Sequence, residues 1–594
     1  MKKLITGFIL SLLIVSQSCA FDLWQGAGLG FANSIVGLPG ASAQTAFLPF
    51  DSSLGTATFV RNGGAVNPDT GLWANENLCL QSEVAGTTWT QTNVTIAANS
   101  IAAPDGNITA DTLTAAADNA TWVQTPTANQ LVDKTWSIYV KRKTGTGAIS
   151  LSLDGGSTYT AVTVTADWTR VSITQAIAAH SLVLKISTNT DAVYVWGSQL
   201  QRGPIGPYLA TTTAAKYDQP RYVTGKDGTA AHALLVEESS TNLILQSNTF
   251  NTTWIKDSTN TLNAADAFGI ANSAWTIEDS SAAAVQSFYQ QVTAGSLTAG
   301  QTYTSSVYVK KTVGATTYPS FNLASASFTR GGGCVIDTNN GIAVAHATRT
   351  GSTIDPTTVS VDTVGDFIRV KLSVTVGATG IYYAQFIPAG MSSVTTSGNT
   401  TASLLGSTII HGFQIGLMPY ATSYIPTTTA AVTRAAEYAT QATSGIVTQD
   451  ATATIQGWWK PEGVAAGKTQ TIWSTYTGAA DYTRLVYSGT ALVFTKAKTG
   501  QATETISHTV TITPNTWYHA AVTIAADGTA LMYHNGSLVG TNGTTTAFKP
   551  VIATNMQYGA FNGTLQINGS LDYSRFFNRV MTASEIARYY NKGL

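Results

Sequence analysis

Charged side chains are scarce in this sequence. Its 594 residues include 31 Lys and Arg and 32 Asp and Glu, so 11% are charged, under half the usual share of a globular protein. The net charge of −1 leaves no clustered cationic footprint of the kind nucleic acid requires, and that partner class is set aside. Cysteine is scarcer still, confined to Cys19, Cys79 and Cys334, with no CxxC pair and no Cys/His spacing suited to zinc. Long apolar runs are absent apart from one near the N-terminus, and neither repeated unit described below keeps a helical period. The seven histidines are scattered, and neither HExxH nor GxSxG is present. Thr, Ala, Ser, Asn and Gly fill the space, which makes a surface solvated by hydroxyls and amides. The hydrophobic fraction of 44% is ordinary, and the length calls for roughly three or four domains.

The apolar exception opens the chain. Lys2 and Lys3 precede LITGFILSLLIV and then SQSCA, the pattern of an export signal over residues 1–20. The run of about twelve apolar residues is too short to cross a bilayer core of roughly 30 Å. Ser18 and Ala20 occupy the −3 and −1 places of a signal-peptidase site cutting after Ala20. VSQSC also fits the loose form of a lipoprotein box with Cys19 lipidated, but Ser16 and Gln17 replace its usual Leu-Ala, so simple cleavage is preferred.

Further on, the chain repeats itself. NLCLQSEVAGTTW (77–89) and NLILQSNTFNTTW (242–254) agree at eight of thirteen positions, at an offset of 165. WSIYVKRK (136–143) and TSSVYVKK (304–311) share Tyr-Val-Lys at an offset of 169. DWTRVSI (167–173) matches DFIRVKL (366–372) at 199, and WGSQL (196–200) matches HGFQI (411–415) at 215. TTTAA closes both copies, at 211–215 and 427–431. A fixed order of segments with a growing offset describes a duplicated β-sandwich whose second copy carries about fifty additional loop residues, because loops tolerate insertion and ladders do not. The period is two. Trp136, Ile138 and Val140 share one face and Ser137, Tyr139 and Lys141 the other, while Val307 and Val309 take the inner places of the second copy and Tyr308 and Lys310 point away. The repeated phrase is expected to be the opening strand of each copy, with Trp89 and Trp254 buried. Cys79 stands where the second copy has Ile244 and is expected to be a small buried apolar residue, its thiol inert like that of Cys334.

These residues carry a resemblance. NLILQSNTFNTTW, led by QPRYVTGKDGTAAHALLVEESS (219–240) and ending in GLMPYATSYIPTTTAAVTRAAE (416–437), resembles a module of bacteriophage virion proteins. Those tail-fibre and head-decoration proteins string together jelly rolls similar to carbohydrate-binding modules. The resemblance spans about residues 50–440 and lies in connecting phrases, not in ligand-binding residues. The first copy departs from it, with NEN (75–77) in place of the EESSTN lead-in and Pro-Tyr-Leu (207–209) in place of Tyr-Ile-Pro. It implies a role in contacting host-surface glycans, alongside other virion or surface proteins, with a homotrimer as one assembly such fibres adopt.

The last 150 residues differ from both copies. ATATIQGWWKPEG (451–463) supplies an opening strand, and NTWYHAAVTIAADGTALMYHNGSLVG (515–540) reads as a three-stranded meander. Tyr518, Ala520, Val522 and Ile524 alternate inward, and Asp527-Gly528 and Asn535-Gly536 supply the positive φ angles of tight hairpins. Thr582 with Glu585 has capping-box spacing ahead of one short helix. The Trp-Tyr-His-Ala-Ala-Val strand, the Tyr-His-Asn-Gly turn and the closing phrase DYSRFFNRVMTASEI are similar to the laminin-G-like, concanavalin A-like lectin sandwich. The expected fold is all-β: tandem jelly-roll sandwiches followed by that lectin-like sandwich. The expected boundaries are an extension or linker over 21–75, repeats over 76–215 and 216–440 (the second with a hairpin lead-in), and the lectin-like domain over 445–594.

Signals for chemistry fail on inspection. GVAAGKT (463–469) lacks one residue of a phosphate-loop spacing and runs into a β-like segment. DTNNG (337–341) lacks the remaining acidic positions of a calcium loop and reads as a turn. No cofactor is expected; a lectin-like sandwich admits calcium, but no ligands for it are readable here. Asp and Glu sit mostly beside turn residues, unlike the facing carboxylates of a glycosidase. Of thirteen tryptophans, Trp73, Trp458 and Trp459 are the weak candidates for stacking on sugar, with burial in the core the favoured reading. The expectation is a non-enzymatic virion or extracellular attachment protein that recognises a cell-surface polysaccharide or glycan. A secreted or lipid-anchored bacterial adhesin is the alternative, favoured by the export signal because virion proteins usually assemble in the cytoplasm. An inert spacer and a polysaccharide-degrading enzyme are the remaining readings.

Overall fold

The computed structural model describes residues 44–47, 57–61, 63–127, 132–217, 220–292, 295–442, 452–463, 468–542 and 555–593. The expected export signal, with Cys19 and Ala20, lies outside the described residues, as does most of the GVAAGKT loop. The described chain is all-β apart from one helix, Ala583–Lys592. It forms three sandwiches. The first pairs two five-stranded sheets, the second a seven-stranded and a six-stranded sheet, and the third an eight-stranded and a seven-stranded sheet.

The cores follow the period-two pattern. Trp136, Ile138 and Val140 lie in the first core, and Val307 and Val309 in the second. Tyr308 does face away from the second core, yet it is buried, because the loop carrying Phe268 folds over it together with His411. Ala520, Val522 and Ile524 point into the third core, with Tyr518 packed at its edge. The meander strands Tyr518–Ile524, Ala530–His534 and Ser537–Thr541 pair in order, and Gly528, Asn535 and Gly536 take φ of 89°, 47° and 78° at its turns. Thr582 caps the helix and closes the reciprocal box with Glu585. Cys79 and Cys334 are fully buried, and burial pushes both thiols up to about 12, so neither offers a thiolate.

The repeated phrase does something other than form a strand. Only Asn77 of the first copy makes a bridge, to Lys216, and only Ser240–Asn242 of the second pairs, with Val432–Arg434. The rest turns, and the asparagine holds the turn. Asn77 Nδ2 donates to the carbonyls of Ser198 and Leu209 at 2.9 and 2.7 Å, while Oδ1 accepts from the amides of Cys79 and Leu200. Asn242 makes the same four bonds, to Phe413 and Ile425 and from Ile244 and Ile415. Gln124 and Gln290 brace the next turn, each bonding both backbone groups of Leu80 or Leu245. Trp89 and Trp254 are buried as expected, each 4% exposed.

The third sandwich draws strands from far outside 445–594. Gln44–Phe47 pairs with Gly569–Phe577, and Ala57–Val60 pairs with Tyr438–Ala442. The hairpin Arg221–Val223/Ala233–Val236 adds to the same sheet through Gly569–Phe577. The apolar residues of these short strands decide their place: Phe59, Leu234, Val236 and Ala439 fill the third core. Both repeats are therefore inserted between strands of the lectin-like sandwich.

The crossings between sandwiches meet at a buried ionic junction. Arg221 Nη2 lies 2.6 Å from Glu237 Oε2, and its Nε donates to Glu437 at 3.0 Å. Arg61 reaches Glu437 at 3.2 Å and Arg434 reaches Glu237 at 2.8 Å, and all five side chains are at most 1% exposed. Arg61 also donates to Tyr217 O at the end of the first repeat, and Arg221 to Ser423 Oγ of the second.

Candidate functional site

The three candidate tryptophans offer no free platform. Trp459 is fully buried among Tyr487 and Tyr518. Trp458 is 4% exposed, its ring stacked on Tyr590 at 5.5 Å and covered by Lys226 Nζ at 4.2 Å. Trp73 is half-buried, and the Arg202 guanidinium lies 3.6 Å above its ring, held there by Glu76 at 2.7 Å. Beside the first repeated phrase, Gln81, Ser82, Trp122 and Trp196 help line a cavity of about 10 Å³, room for one water and not for a sugar. Asp337 of the DTNNG segment spends its carboxylate on Asn339 and Asn340, as a turn does. Among the described residues no three His, Cys, Asp or Glu side chains converge as metal ligands.

A different surface has the chemistry that the tryptophans lack. In the second sandwich the strands Phe288–Gln291, Tyr382–Met391, Tyr318–Ser325 and Arg330–Asp337 lie side by side. Phe288, Tyr382, Phe386, Phe321 and Cys334 point into the core. Alternation then turns Tyr289, Tyr383, Gln385 and Asn322 away from the core, where the two tyrosines stay partly exposed while Gln385 and Asn322 are buried, 9% and 1% exposed. Tyr289 pairs with Gln385, Gln385 with Asn322, and Asn322 with Gly333, so one row of this character crosses four strands.

Aromatic rings flank that row. Tyr383 and Phe328 lie nearly parallel, 13° apart with centroids at 5.9 Å, and Tyr289 stands edge-on to both at 5.4 and 5.7 Å. Phe328 takes φ of 55°, a left-handed conformation costing about 1–3 kcal/mol for a bulky residue. Its amide donates to Ser325 O, and Ser352 Oγ donates to its carbonyl, which hold it there. On the other side, Ala347 and Thr348 donate to Thr396 O, and Gly398 donates to Thr348 O, zipping two loops into a wall.

The amides of the floor are under-used. Asn322 Nδ2 donates to Gln385 Oε1 at 3.5 Å, Gln385 Nε2 to Ser287 Oγ at 3.3 Å, and Ser320 Oγ to Asn322 Oδ1 at 3.4 Å. Such lengths are weak, and of these groups Gln385 lies nearest the surface. His346 lies next in the row, where a Cβ on Gly333 would fall 2.9 Å from its Nδ1. Burial, aided by Arg349, pushes His346 down to about 4, so it is neutral at physiological pH, and its Nε2 has no partner.

The insertions of the second copy gather here. The offset rises by 30 between Lys310 and Asp366 and by 16 between Leu372 and His411. Those segments contain Phe328, the loop around His346 and the wall at Thr396–Gly398. The first copy shows no such groove: Val183 and Lys185 stand on the corresponding face, with Lys185 over Tyr159 at 3.9 Å. Sequence reading passed over Tyr289 and Tyr383, yet a signal was present. Phe288-Tyr289 and Tyr382-Tyr383 are adjacent aromatics on a strand, so one of each pair must face away from the core.

A family model bears on the third sandwich. Residues 434–587 match the family model described as the concanavalin A-like lectin/glucanases superfamily, of laminin G type. No curated protein matches the chain. Among solved structures it is similar to the botulinum neurotoxin serotype G binding domain, at 17% identity and a TM-score of 0.24 over 26% of this chain. It spans about 40% of that structure's length. It is also similar to the Ruminococcus gnavus IT-sialidase CBM40 bound to α2,3 sialyllactose, at 16% identity and a TM-score of 0.21, covering 24% of this chain and 83% of that one. Residues 434–587 thus carry a lectin-like domain of the concanavalin A-like kind, which with the earlier strands makes up one of three sandwiches in an all-β chain.

Proposed function

We propose that the protein is a non-catalytic attachment protein that recognises surface glycans through the groove of the second sandwich. One observation carries this reading: the added segments of the second copy bring Phe328 beside Tyr289 and Tyr383, and these rings border the weakly bonded amide of Gln385. A pyranose presents apolar C–H faces to aromatic planes and hydroxyls to a bordering polar group, here the Gln385 amide. Glu237 and Glu437 are spent on buried ion pairs with arginines.

The test is a glycan array probed with the protein, followed by calorimetry on the best ligand. Tyr383→Ala and Tyr289→Ala are each expected to weaken binding at least fivefold, about 1 kcal/mol or more, with an unchanged melting profile. Absence of binding across a broad capsule and cell-wall panel would sink the reading, as would undiminished binding by both variants. A virion component is the role favoured by resemblance, and the export signal favours a bacterial surface adhesin. Co-sedimentation with virus particles supports the first, and recovery from the envelope fraction of uninfected cells supports the second.

A further inference from the structure

The third sandwich has a feature of opposite character to the groove. On the seven-stranded sheet, Trp473, Leu485, Tyr487 and Tyr558 face the core. Ser474 pairs with Arg484 and Tyr476 with Tyr482, so Arg484, Tyr476 and Tyr482 stand on the outer face. The loop after Asn555–Tyr558 lays Phe561 over them, fixed by Ser474 Oγ donating to Ala560 O at 2.7 Å. Tyr476 and Tyr482 meet the Phe561 ring edge-on at 5.4 and 5.0 Å. The Arg484 guanidinium lies against Phe561 at 4.8 Å and Tyr482 at 5.3 Å.

Arg484 has no carboxylate and no hydrogen-bond acceptor among the described residues, and its Nε is shut from solvent without a partner. Arg61, Arg142, Arg202, Arg221, Arg330, Arg434 and Arg579 each reach a carboxylate. A guanidinium held against two rings, with Nε buried and its two terminal nitrogens without a described acceptor, is positioned for a planar two-oxygen anion. A partly desolvated cation without a counter-ion is also costly until an anion arrives.

We infer that this face is a second glycan site, one that takes a carboxylate-bearing sugar such as a uronate. The carboxylate meets the Arg484 fork in a bidentate pair, and the pyranose lies against Phe561 and the Tyr476 edge. A peptide carboxylate would use the fork but leave the aromatic face uncovered. The inference rests on the reading of the chain as a glycan binder, and it assigns the acidic residue to a site separate from the groove.

The experiment measures binding of polygalacturonate, dextran sulfate, neutral dextran and poly-glutamate to the full protein, with Arg484→Gln, Arg484→Lys, Phe561→Ala and Tyr383→Ala. Polygalacturonate is expected to bind, with at least a tenfold loss in Arg484→Gln, a smaller loss in Arg484→Lys, and weakening as salt rises. Phe561→Ala lowers binding, and Tyr383→Ala leaves it unchanged. Equal or tighter binding of dextran sulfate overturns the carboxylate assignment, and equal binding of poly-glutamate overturns the saccharide. No polygalacturonate binding, or binding indifferent to Arg484, overturns the site itself. If Tyr383-dependent binding on the glycan array persists in that case, the groove stands and only this inference falls.

Discussion

Glu437→Gln is expected to destabilise the protein by about 3–5 kcal/mol, the cost of breaking a buried ion pair from one side. The near-isosteric change keeps the volume and removes one of two carboxylates that serve three guanidiniums, Arg61, Arg221 and Arg434. Three buried cations then keep Glu237 as the one carboxylate of the junction. Arg221→Met is expected to cost less, because it leaves Arg61 with Glu437 and Arg434 with Glu237, a neutral set. Since the five side chains come from crossings between all three sandwiches, the loss loosens their mutual placement more than any single core. Urea unfolding combined with hydrogen exchange over 57–66, 217–237 and 423–442 checks this; a Glu437→Gln variant as stable as the parent contradicts it. The junction also sets an acid limit. Burial alone would raise the Glu237 carboxyl, but Arg434 and Arg221 outweigh burial and hold it below its ordinary value of 4.5. A depressed folded value contributes stability that is fully present above pH 4.5 and is lost as pH falls below it. Acid unfolding below pH 4.5 is therefore expected to lessen in Glu237→Gln, relative to its own neutral stability.

Asn242→Ala is expected to unfold the second sandwich locally, at a cost of about 3–5 kcal/mol. It strands four buried backbone groups, the carbonyls of Phe413 and Ile425 and the amides of Ile244 and Ile415. Each stranded group costs about 1–3 kcal/mol, partly relieved by water entering. Asn242→Asp keeps the oxygen that accepts both amides but turns its second carboxylate oxygen toward two carbonyls, so it is expected to be no milder. Asn77→Ala repeats the effect in the first sandwich, where the same four bonds recur. Limited proteolysis with mass readout separates the cases. Cleavage confined to 240–434 for Asn242→Ala and to 76–217 for Asn77→Ala is expected, and a variant that keeps parental resistance refutes the clamp.

The repeated phrase shows how far the sequence could be read. Its scaffold role and the burial of Trp89 and Trp254 were legible, because a repeated apolar pattern is a statement about a core. Its form was not. NLxLQS alternates well enough to read as a strand, and only the presence of Ser198, Leu209 and their counterparts around the asparagine makes it a clamped turn. The third sandwich repeats the lesson at larger scale. Its hairpins and capping box depend on neighbours a few residues away, so Asn535-Gly536 and Thr582-Glu585 could be read directly. Its short strands Ala57–Val60 and Ala233–Val236 carry no mark of the sheet they join.

The sequence by itself determined the all-β class, the duplication, the lectin-like third sandwich and the inertness of the cysteines, because composition, period and turn chemistry act locally. The tertiary structure alone decided which side chains reach the surface and which are covered. Whether Trp458 is a platform or is hidden beneath Tyr590 and Lys226 depends on a helix more than 120 residues away and a hairpin more than 220 away. Whether Arg484 is paired depends on which carboxylates the fold brings near it. The groove of Tyr289, Tyr383 and Gln385 exists because antiparallel register sets residues about 100 apart side by side. Register is a property of the assembled sheet and not of any one strand.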